Sequence, residues 1–452
     1  MMPGSMIRGF YVTLTMLLLL SACNSEVQSL PTSLPLAEME AAVVTTAVSI
    51  PLVPTYTPEP VAVVLDSKQT ALTLWHSWQD ADAEALGDLV HAYEAANPDV
   101  VLTLVYQASM VEAMQTAVPL GEGPDLLLMQ QDQLPYFAEN GFVTAVTPQF
   151  GTDYLDENFS PAAQAAMTWQ NVVWGIPILQ NSIAIVYNKS LIDETRIPAV
   201  ATDFNALLTN AIAYHEANPD KFFLCNQSLS PDSFDVYHAA PIFFGVDGGE
   251  ESGYVDEQGN VFINTPQKAA AGDWLLSFME AAPPTAGYEI CQAGFLTGEF
   301  AAWWTGSWAL DSLPDTDFEI GVAPFGRPFV HVTGVFLGAN ALAREHEAAV
   351  LDFMRYLAEP MVQAQLAVVV NEPPANRQAL TSAMVQTEAH LAAFGAAAAT
   401  GIPFSASPYA QAQWEPLGVA QSNMLSRSQT PAAALAEAQT AVEQAIQNVK
   451  NQ

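Results

Sequence analysis

The chain has 452 residues, enough for two to four domains at about 100–200 residues each. Half of the residues are apolar and 10% are aromatic, so the chain can fill substantial cores and is not disordered throughout. Twelve basic residues against 48 acidic ones give a formal charge of -36. A surface this acidic repels phosphate backbones, which argues against nucleic acid as a partner and favours a solubilising role for the charge.

The first 23 residues have the pattern of an export signal. Arg8 is the only charge before a short apolar run at 13–20, and Cys23 follows closely. The run is too short to span a bilayer stably, so 1–23 is interpreted as a secretory signal peptide. The letters L-S-A-C that end at Cys23 also resemble a bacterial lipobox. That resemblance implies a lipid anchor on Cys23 and an extracytoplasmic protein held at the bacterial cell membrane; ordinary cleavage with a free cysteine is the alternative.

Residues 24–68 contain six prolines and no sustained hydrophobic period, which predicts an extended, disordered tether. Removal of the signal would leave Cys225 and Cys291 in a compartment where disulfides persist. A bond between them and two separate buried thiols are both compatible with the sequence.

The folded body begins with alternating strand and helix patterns. Residues 71–75 predict a strand, and an apolar stripe through 86–93 predicts a helix that ends at Asn97-Pro98-Asp99. A second strand is expected at 100–106, and Gly123-Pro124-Asp125 introduces a buried strand at 126–129. Strand, helix, strand and buried strand in this order indicate a parallel α/β sheet.

Similar alternation continues toward the C-terminus. The largely apolar stretch 174–187 predicts a strand that Pro177 interrupts, and 222–224 predicts another buried strand. Helices are expected at 269–280, at 347–358 and after Thr430-Pro431, where a proline follows a capping residue.

Several classes of chemistry lack their motif in this chain. We find no phosphate loop, dinucleotide fingerprint, hydrolase elbow or zincin motif, and the seven histidines do not pair at metal-ligand spacing. No cofactor and no metal site is therefore expected. His76 is interpreted as a hydrogen-bonded neighbour of a site and not as a catalyst. The segment 256–260 lacks a calcium-loop pattern and predicts a hairpin turn.

Aromatic residues recur beside polar ones at three predicted strand-to-loop junctions, 75–80, 303–308 and 411–415. A sugar has an apolar C–H face and a rim of hydroxyl groups. Indole rings can stack on that face while amides and carboxylates bind the hydroxyls. The alternative for each tryptophan is ordinary core packing, but three clusters beside polar residues favour a sugar site.

Over roughly 71–450 the chain resembles the sugar-specific extracellular solute-binding proteins, the family of the maltose-binding protein, which serve ABC importers. The resemblance rests on N-P-D at 97–99, G-P-D at 123–125 running on to 136–143, W-G-I-P at 174–177 with V-Y-N-K at 186–189, and G-E-F at 298–300 with G-S-W at 306–308.

The resemblance implies a two-lobed periplasmic-binding-protein fold, type II-like, in which two α/β domains are joined by a multi-strand hinge. The expected N-terminal lobe is 71–180 plus 325–372, and the expected C-terminal lobe is 181–320 plus 376–452. The chain would cross between them near 179–183, 316–325 and 372–377.

The resemblance also implies ligand-binding residues. Asp132 matches a cleft carboxylate, Trp308 and Trp414 match stacking tryptophans, and Asn181 lies on the hinge strand where the maltose-specific member has a glutamate. The other expected ligand-binding residues are Trp78, Gln79, Tyr237 and Phe404. Met129 and Glu415 also depart from the maltose-specific pattern, so the resemblance predicts a sugar without specifying maltose.

The implied function is capture of a sugar or oligosaccharide, without catalysis, by a monomer that delivers it to ABC permease subunits. A lipid-anchored glycoside hydrolase or lyase is the rival, because it too would have a tryptophan-lined cleft; it would need two carboxylates facing the sugar. A binding protein for another solute, such as a polyamine, is a third possibility that the acidic charge favours.

Overall fold

The computed structural model describes residues 69–451, except 249–252, 340, 344–345 and 406. The predicted signal peptide, the predicted tether and Cys23 lie outside these residues. Within the described part, no helix combines the length and apolar character that a membrane crossing requires.

The described residues contain thirteen strands, numbered here in chain order, which form two main sheets and one short hairpin. They are β1 Thr70–His76, β2 Val100–Tyr106, β3 Leu126–Gln130, β4 Val143–Thr144, β5 Thr168–Trp169, β6 Val172–Val173, β7 Gly175–Asn181, β8 Ile183–Asn188, β9 Phe222–Cys225, β10 Phe300–Gly306, β11 Ile320–Ala323, β12 Phe329–Gly338 and β13 Ile402–Pro403.

The α-helices cover the faces of these sheets. They are α1 Asp80–Ala96, α2 Met110–Ala117, α3 Leu134–Glu139, α4 Thr152–Asn158, α5 Pro161–Met167, α6 Phe204–Ala217, α7 Val236–Gly245, α8 Pro266–Phe278, α9 Tyr288–Thr297, α10 Ser307–Asp311, α11 Glu347–Ala358, α12 Pro360–Val370, α13 Arg377–Leu380, α14 Ala383–Thr387, α15 Ala389–Thr400, α16 Trp414–Leu425 and α17 Pro431–Lys450. Short 3-10 helices lie at Val118–Leu120, Gln131–Gln133, Glu194–Arg196, Val246–Gly248, Ala341–Ala343 and Ala410–Gln413.

The first sheet has seven strands and contains the parallel strands that the sequence predicts. Its main path runs β13-β12-β3-β1-β2, and β4 and β7 also pair with β12. Strand β1 is parallel to β2 and β3, whereas the long strand β12 is antiparallel to β3 and β7. The sheet is therefore mixed and not purely parallel, because a strand from late in the chain joins it.

Apolar periodicity decides how α1 packs on this sheet. Its stripe of Leu86, Leu89, Val90 and Tyr93 is buried, and the helix runs through Ala96 to a cap at Asn97. Burial of one such side chain contributes about 1.5–3 kcal/mol. The predicted helix and its end are confirmed.

Pro177 lies inside β7 and does not end the strand. The β7–β12 register shifts between Thr333 and Gly334, the position where Pro177 is paired. A proline has no N–H to donate, so an irregular register lets the strand keep its other hydrogen bonds.

The second sheet has four strands in the order β11-β8-β10-β9, and a disulfide links its strand β9 to a neighbouring helix. The bond joins Cys225, the last residue of β9, to Cys291 in α9, and both cysteines are buried. Their Cα atoms are 5.5 Å apart. The chain brings this pair together because β9 lies beside β10, the strand that follows α9.

The two sheets are the centres of two lobes, and the connections between them form the hinge. The chain leaves the first sheet after Asn181, at the end of β7, and enters the second at Ile183. It returns between β11 and β12. A third segment runs beside β7, where the Gln180 N–H donates to the carbonyl of Pro373 at 2.9 Å. The exact residue bounds of the two lobes stay a prediction.

Candidate functional site

A cavity of about 340 Å³ lies between the two lobes. The residues that line it are Gln130, Asn181, Tyr237, Trp308, His331, Thr333 and Glu372. Strands β3, β7 and β12 of the first lobe supply the polar set, and helices α7 and α10 of the second lobe supply the aromatic rings. Glu372 comes from the segment that follows α12.

The polar residues of the first lobe are neighbours because of strand register. His331 is opposite Asn181 in the β7–β12 pairing, and Thr333 is opposite Gln130 in the β3–β12 pairing. His331 and Thr333 are two residues apart on β12, so both point to the same face of the sheet. The pairing of three strands thus assembles one polar wall from distant parts of the chain.

Trp308 owes its position to the glycine before its helix. A Cβ atom added to Gly306 would lie 2.1 Å from Cζ3 of the Trp308 ring, closer than any side chain permits. The glycine therefore lets the indole lie directly against the backbone at the end of β10. The Tyr237 ring is next to it, with ring centroids 6.2 Å apart.

Asn181 connects the two lobes at the hinge end of the cavity. Its side-chain Nδ2 donates to Oε1 of Glu372 at 3.0 Å, and the Ser307 hydroxyl donates to its Oδ1 at 3.3 Å. The amide orients the Glu372 carboxylate in the cavity, and the contact with Ser307 joins β7 to the start of α10.

His331 is an uncharged ring at neutral pH. Burial lowers its pKa to about 4, well below its ordinary value. Among the described residues its Nδ1 is buried without a hydrogen-bond partner, and the residue lines the cavity. Burial, together with the charges of Asp235 and Glu372, raises the pKa of Tyr237. Both groups can therefore exchange hydrogen bonds with a neutral polar ligand.

Phe404 and Trp414 were expected to contact the ligand, but they do not line this cavity. They stack on each other with centroids 5.4 Å apart and an angle of 7° between the rings. The other neighbour of Phe404 is His331, stacked at 4.7 Å and 18°. The two rings thus lie behind His331.

Three further predicted residues also lie away from the cavity lining. Asp132 is in the 3-10 helix that follows β3, where burial raises its pKa against the opposing effect of backbone N–H groups of Asp132 and Gln133. Trp78 packs against the core of the first lobe. Gln79 is exposed and donates to the hydroxyl of Tyr106. Their contribution to ligand binding stays a prediction.

Sequence reasoning missed four cavity residues: Gln130, His331, Thr333 and Glu372. The alternation through 329–338 could have indicated a strand and placed His331 and Thr333 on one face. Glu372 follows Asn371, which ends α12 in the left-handed conformation at a φ of 53°. An asparagine after an apolar helical run is a recognisable end signal.

The chemistry of the lining is that of a binding site for a neutral, hydroxyl-rich molecule. Two aromatic rings face amide, hydroxyl, imidazole and carboxylate groups, and Glu372 is the carboxylate among the seven lining residues. Among the residues described, no three histidine, cysteine, aspartate or glutamate side chains are grouped so that they could hold a metal ion.

Comparisons with known proteins agree with this geometry. The model of the family described as bacterial extracellular solute-binding protein matches residues 88–393. A maltotriose-binding protein of Pyrococcus abyssi is 23% identical over 359 residues, which cover 76% of this chain and 75% of that protein.

Solved structures show the same fold at low sequence identity. An extracellular solute-binding protein from Staphylococcus aureus in complex with maltose is 19% identical, covers 85% of this chain and all of its own, and gives a TM-score of 0.71. The maltose-binding protein of Listeria monocytogenes, also with maltose, is 18% identical with a TM-score of 0.70, covering 85% of this chain and 99% of its own. The expected two-lobed α/β fold is confirmed.

Proposed function

We propose that this chain, which belongs to the bacterial extracellular solute-binding protein family, captures a sugar or oligosaccharide between its lobes and delivers it to an ABC permease. One observation carries the proposal. The rings of Trp308 and Tyr237 face Asn181, His331 and Glu372 across a single cavity. Such a lining suits the apolar face of a sugar on one side and its hydroxyl groups on the other.

Binding would act through closure of the lobes. A ligand that contacts Trp308 on one lobe and Asn181 on the other stabilises the closed arrangement of the lobes, because only there can it contact both residues. The hydrogen bond from Ser307 to Asn181 already joins the lobes at the hinge end of the cavity. In this proposal the lobes comprise 71–180 with 325–372 and 181–320 with 376–452, and the closed monomer docks on the permease.

The lining favours binding over hydrolysis. Glycosidases use two carboxyl groups on either side of the scissile bond, about 5–10 Å apart. Glu372 is the carboxylate of this cavity, and its Oε1 accepts a hydrogen bond from Asn181. We therefore propose a receptor that releases its sugar unchanged.

Family membership places the protein outside the cytoplasm. We further propose that Cys23 carries a lipid anchor, supported by the L-S-A-C sequence that ends there. Cys23→Ala should release the protein from membranes or block its processing. Full retention of this variant in the membrane fraction would rule out the anchor.

The receptor function is tested with purified protein and glucose oligomers of one to four units, linked either α-1,4 or β-1,4. A bound sugar should raise the melting temperature and decrease the radius of gyration in X-ray scattering. Chromatography of the incubated sugar then separates the two functions. Recovery of the intact sugar with compaction supports a transport receptor, whereas shortened products would establish a hydrolase.

A further inference from the structure

A stack of three rings separates the ligand cavity from a second, smaller one. His331, Phe404 and Trp414 follow one another face to face, with centroid distances of 4.7 Å and 5.4 Å. His331 lines the 340 Å³ cavity. Phe404 lines a separate cavity of about 170 Å³, together with Tyr254 and Glu257. We call these three stacked rings the ring wall.

The ring wall is held in place by the core of the molecule. The Phe404 N–H donates to the carbonyl of Val330 at 3.0 Å, which fixes its backbone beside β12. The buried Phe329 ring packs edge-on against both Phe404 and Trp414, at 5.6 Å and 6.0 Å. Phe404 itself is only 3% exposed. A ligand could displace these rings only by disrupting packed contacts.

Stacking on a sugar requires a ring face that nothing else covers. His331 and Trp414 both stack on the ring of Phe404, which is buried. Phe404 in turn covers a face of Trp414. Trp308 and Tyr237 remain as the aromatic side chains that line the ligand cavity. The volume of the ligand cavity lies at the lower end of the range of about 300–1,000 Å³ that is usual for small-molecule sites.

Asn181 and Glu372 line the cavity on its hinge side. There the Asn181 amide is held by Glu372 and Ser307 at the hinge. A linear saccharide lying across Trp308 therefore meets the hinge in one direction and the ring wall in the other.

We propose that the ring wall limits the ligand to one or two sugar units. The inference rests on the proposed function and adds the size class of the sugar. His331 is the residue that determines this limit, because it is the member of the wall that faces the ligand cavity. Removing its ring would uncover a face of Phe404 and make room for a further sugar unit on the ligand side of the wall.

The test measures dissociation constants by calorimetry for maltose and maltotetraose, with cellobiose and cellotetraose as the matched β-linked pair. The unaltered protein should bind the disaccharide at least as tightly as the tetrasaccharide. His331→Gly should shift the ratio of the two constants by about tenfold in favour of the tetrasaccharide. His331→Phe keeps a ring at the position while removing its polar atoms, so it should keep the original ratio.

Phe404→Leu provides a second opening of the wall that leaves β12 unchanged, and it should shift the ratio in the same direction as His331→Gly. A tetrasaccharide that binds the unaltered protein about tenfold tighter than the disaccharide would overturn the size limit. So would identical ratios in the unaltered protein and both opened variants. If none of the four sugars binds the unaltered protein, the sugar-receptor function itself is overturned.

Discussion

The two lobes contribute different chemistry to the cavity between them. The first lobe supplies polar side chains from paired strands and from the segment that holds Glu372, and the second supplies aromatic rings from the starts of helices. The lobes also differ in how they are stabilised. The first is built on seven strands, whereas the second has four strands and the disulfide between Cys225 and Cys291. The comparison indicates that hydroxyl recognition and stacking can be altered separately, on opposite lobes.

The largest expected effect is on the stability of the second lobe. Replacing both Cys225 and Cys291 by alanine removes a crosslink over a sequence separation of 66 residues. Loss of such a crosslink should lower the free energy of unfolding by about 2–4 kcal/mol, measured by urea denaturation. Cys23→Ala is the matched control, because it removes a cysteine that this disulfide does not contain. Unchanged stability of the double variant would contradict a structural role for the bond.

Removal of the stacking ring comes next. Trp308→Ala should weaken sugar binding by about 1–3 kcal/mol, through loss of apolar contact area on one face of the ligand. Gly306→Ala should act in the same direction, because the added Cβ displaces the indole. Trp414→Ala is the comparison variant. Because this ring stacks on Phe404 and does not line the cavity, its removal should weaken binding of a disaccharide less than Trp308→Ala does. Equal losses for Trp308→Ala and Trp414→Ala would contradict the division between the two tryptophans.

A smaller loss is expected from the first lobe. Asn181→Ala removes the amide that donates a hydrogen bond to Glu372 and accepts one from the Ser307 hydroxyl. Sugar affinity should fall by about 0.5–1.5 kcal/mol, the usual net contribution of a hydrogen bond, while the melting temperature without ligand changes little. Ser307→Ala removes one of the two contacts and serves as the milder control. Full affinity in Asn181→Ala would place the polar recognition elsewhere.

The smallest effect concerns Asp132 and depends on pH. Burial raises the pKa of this carboxyl group, so the folded protein holds its proton more tightly than the unfolded chain does. The free energy of unfolding therefore falls as pH rises through the folded pKa. Asp132→Asn cannot ionise, so it should be more stable than the unaltered protein at pH 7, by less than about 1 kcal/mol since the group is partly exposed. The difference should vanish at acidic pH; a variant that is less stable at pH 7 would contradict this reading.

The sequence by itself determined the local elements of this protein. The stripe from Leu86 to Tyr93 specifies α1, because an apolar side chain every three or four residues forms one buried face. Thr430 and Pro431 specify the start of α17, where the threonine hydroxyl accepts a hydrogen bond from the N–H of Ala433. These signals lie within a few residues of one another, so no knowledge of the remaining chain is needed to interpret them. The motifs shared with the solute-binding family added the prediction of a two-lobed arrangement.

Only the tertiary structure decided which of these residues meet in the cavity. His331 comes beside Asn181 through the pairing of β12 with β7, and the sequence separation of the two strands hides this contact. Trp308 and Trp414 both follow the pattern of a stacking tryptophan. Phe404 covers a face of Trp414, whereas Trp308 lines the cavity. Whether a ring face is available depends on what packs against it, and that packing is set by contacts between residues far apart in the chain.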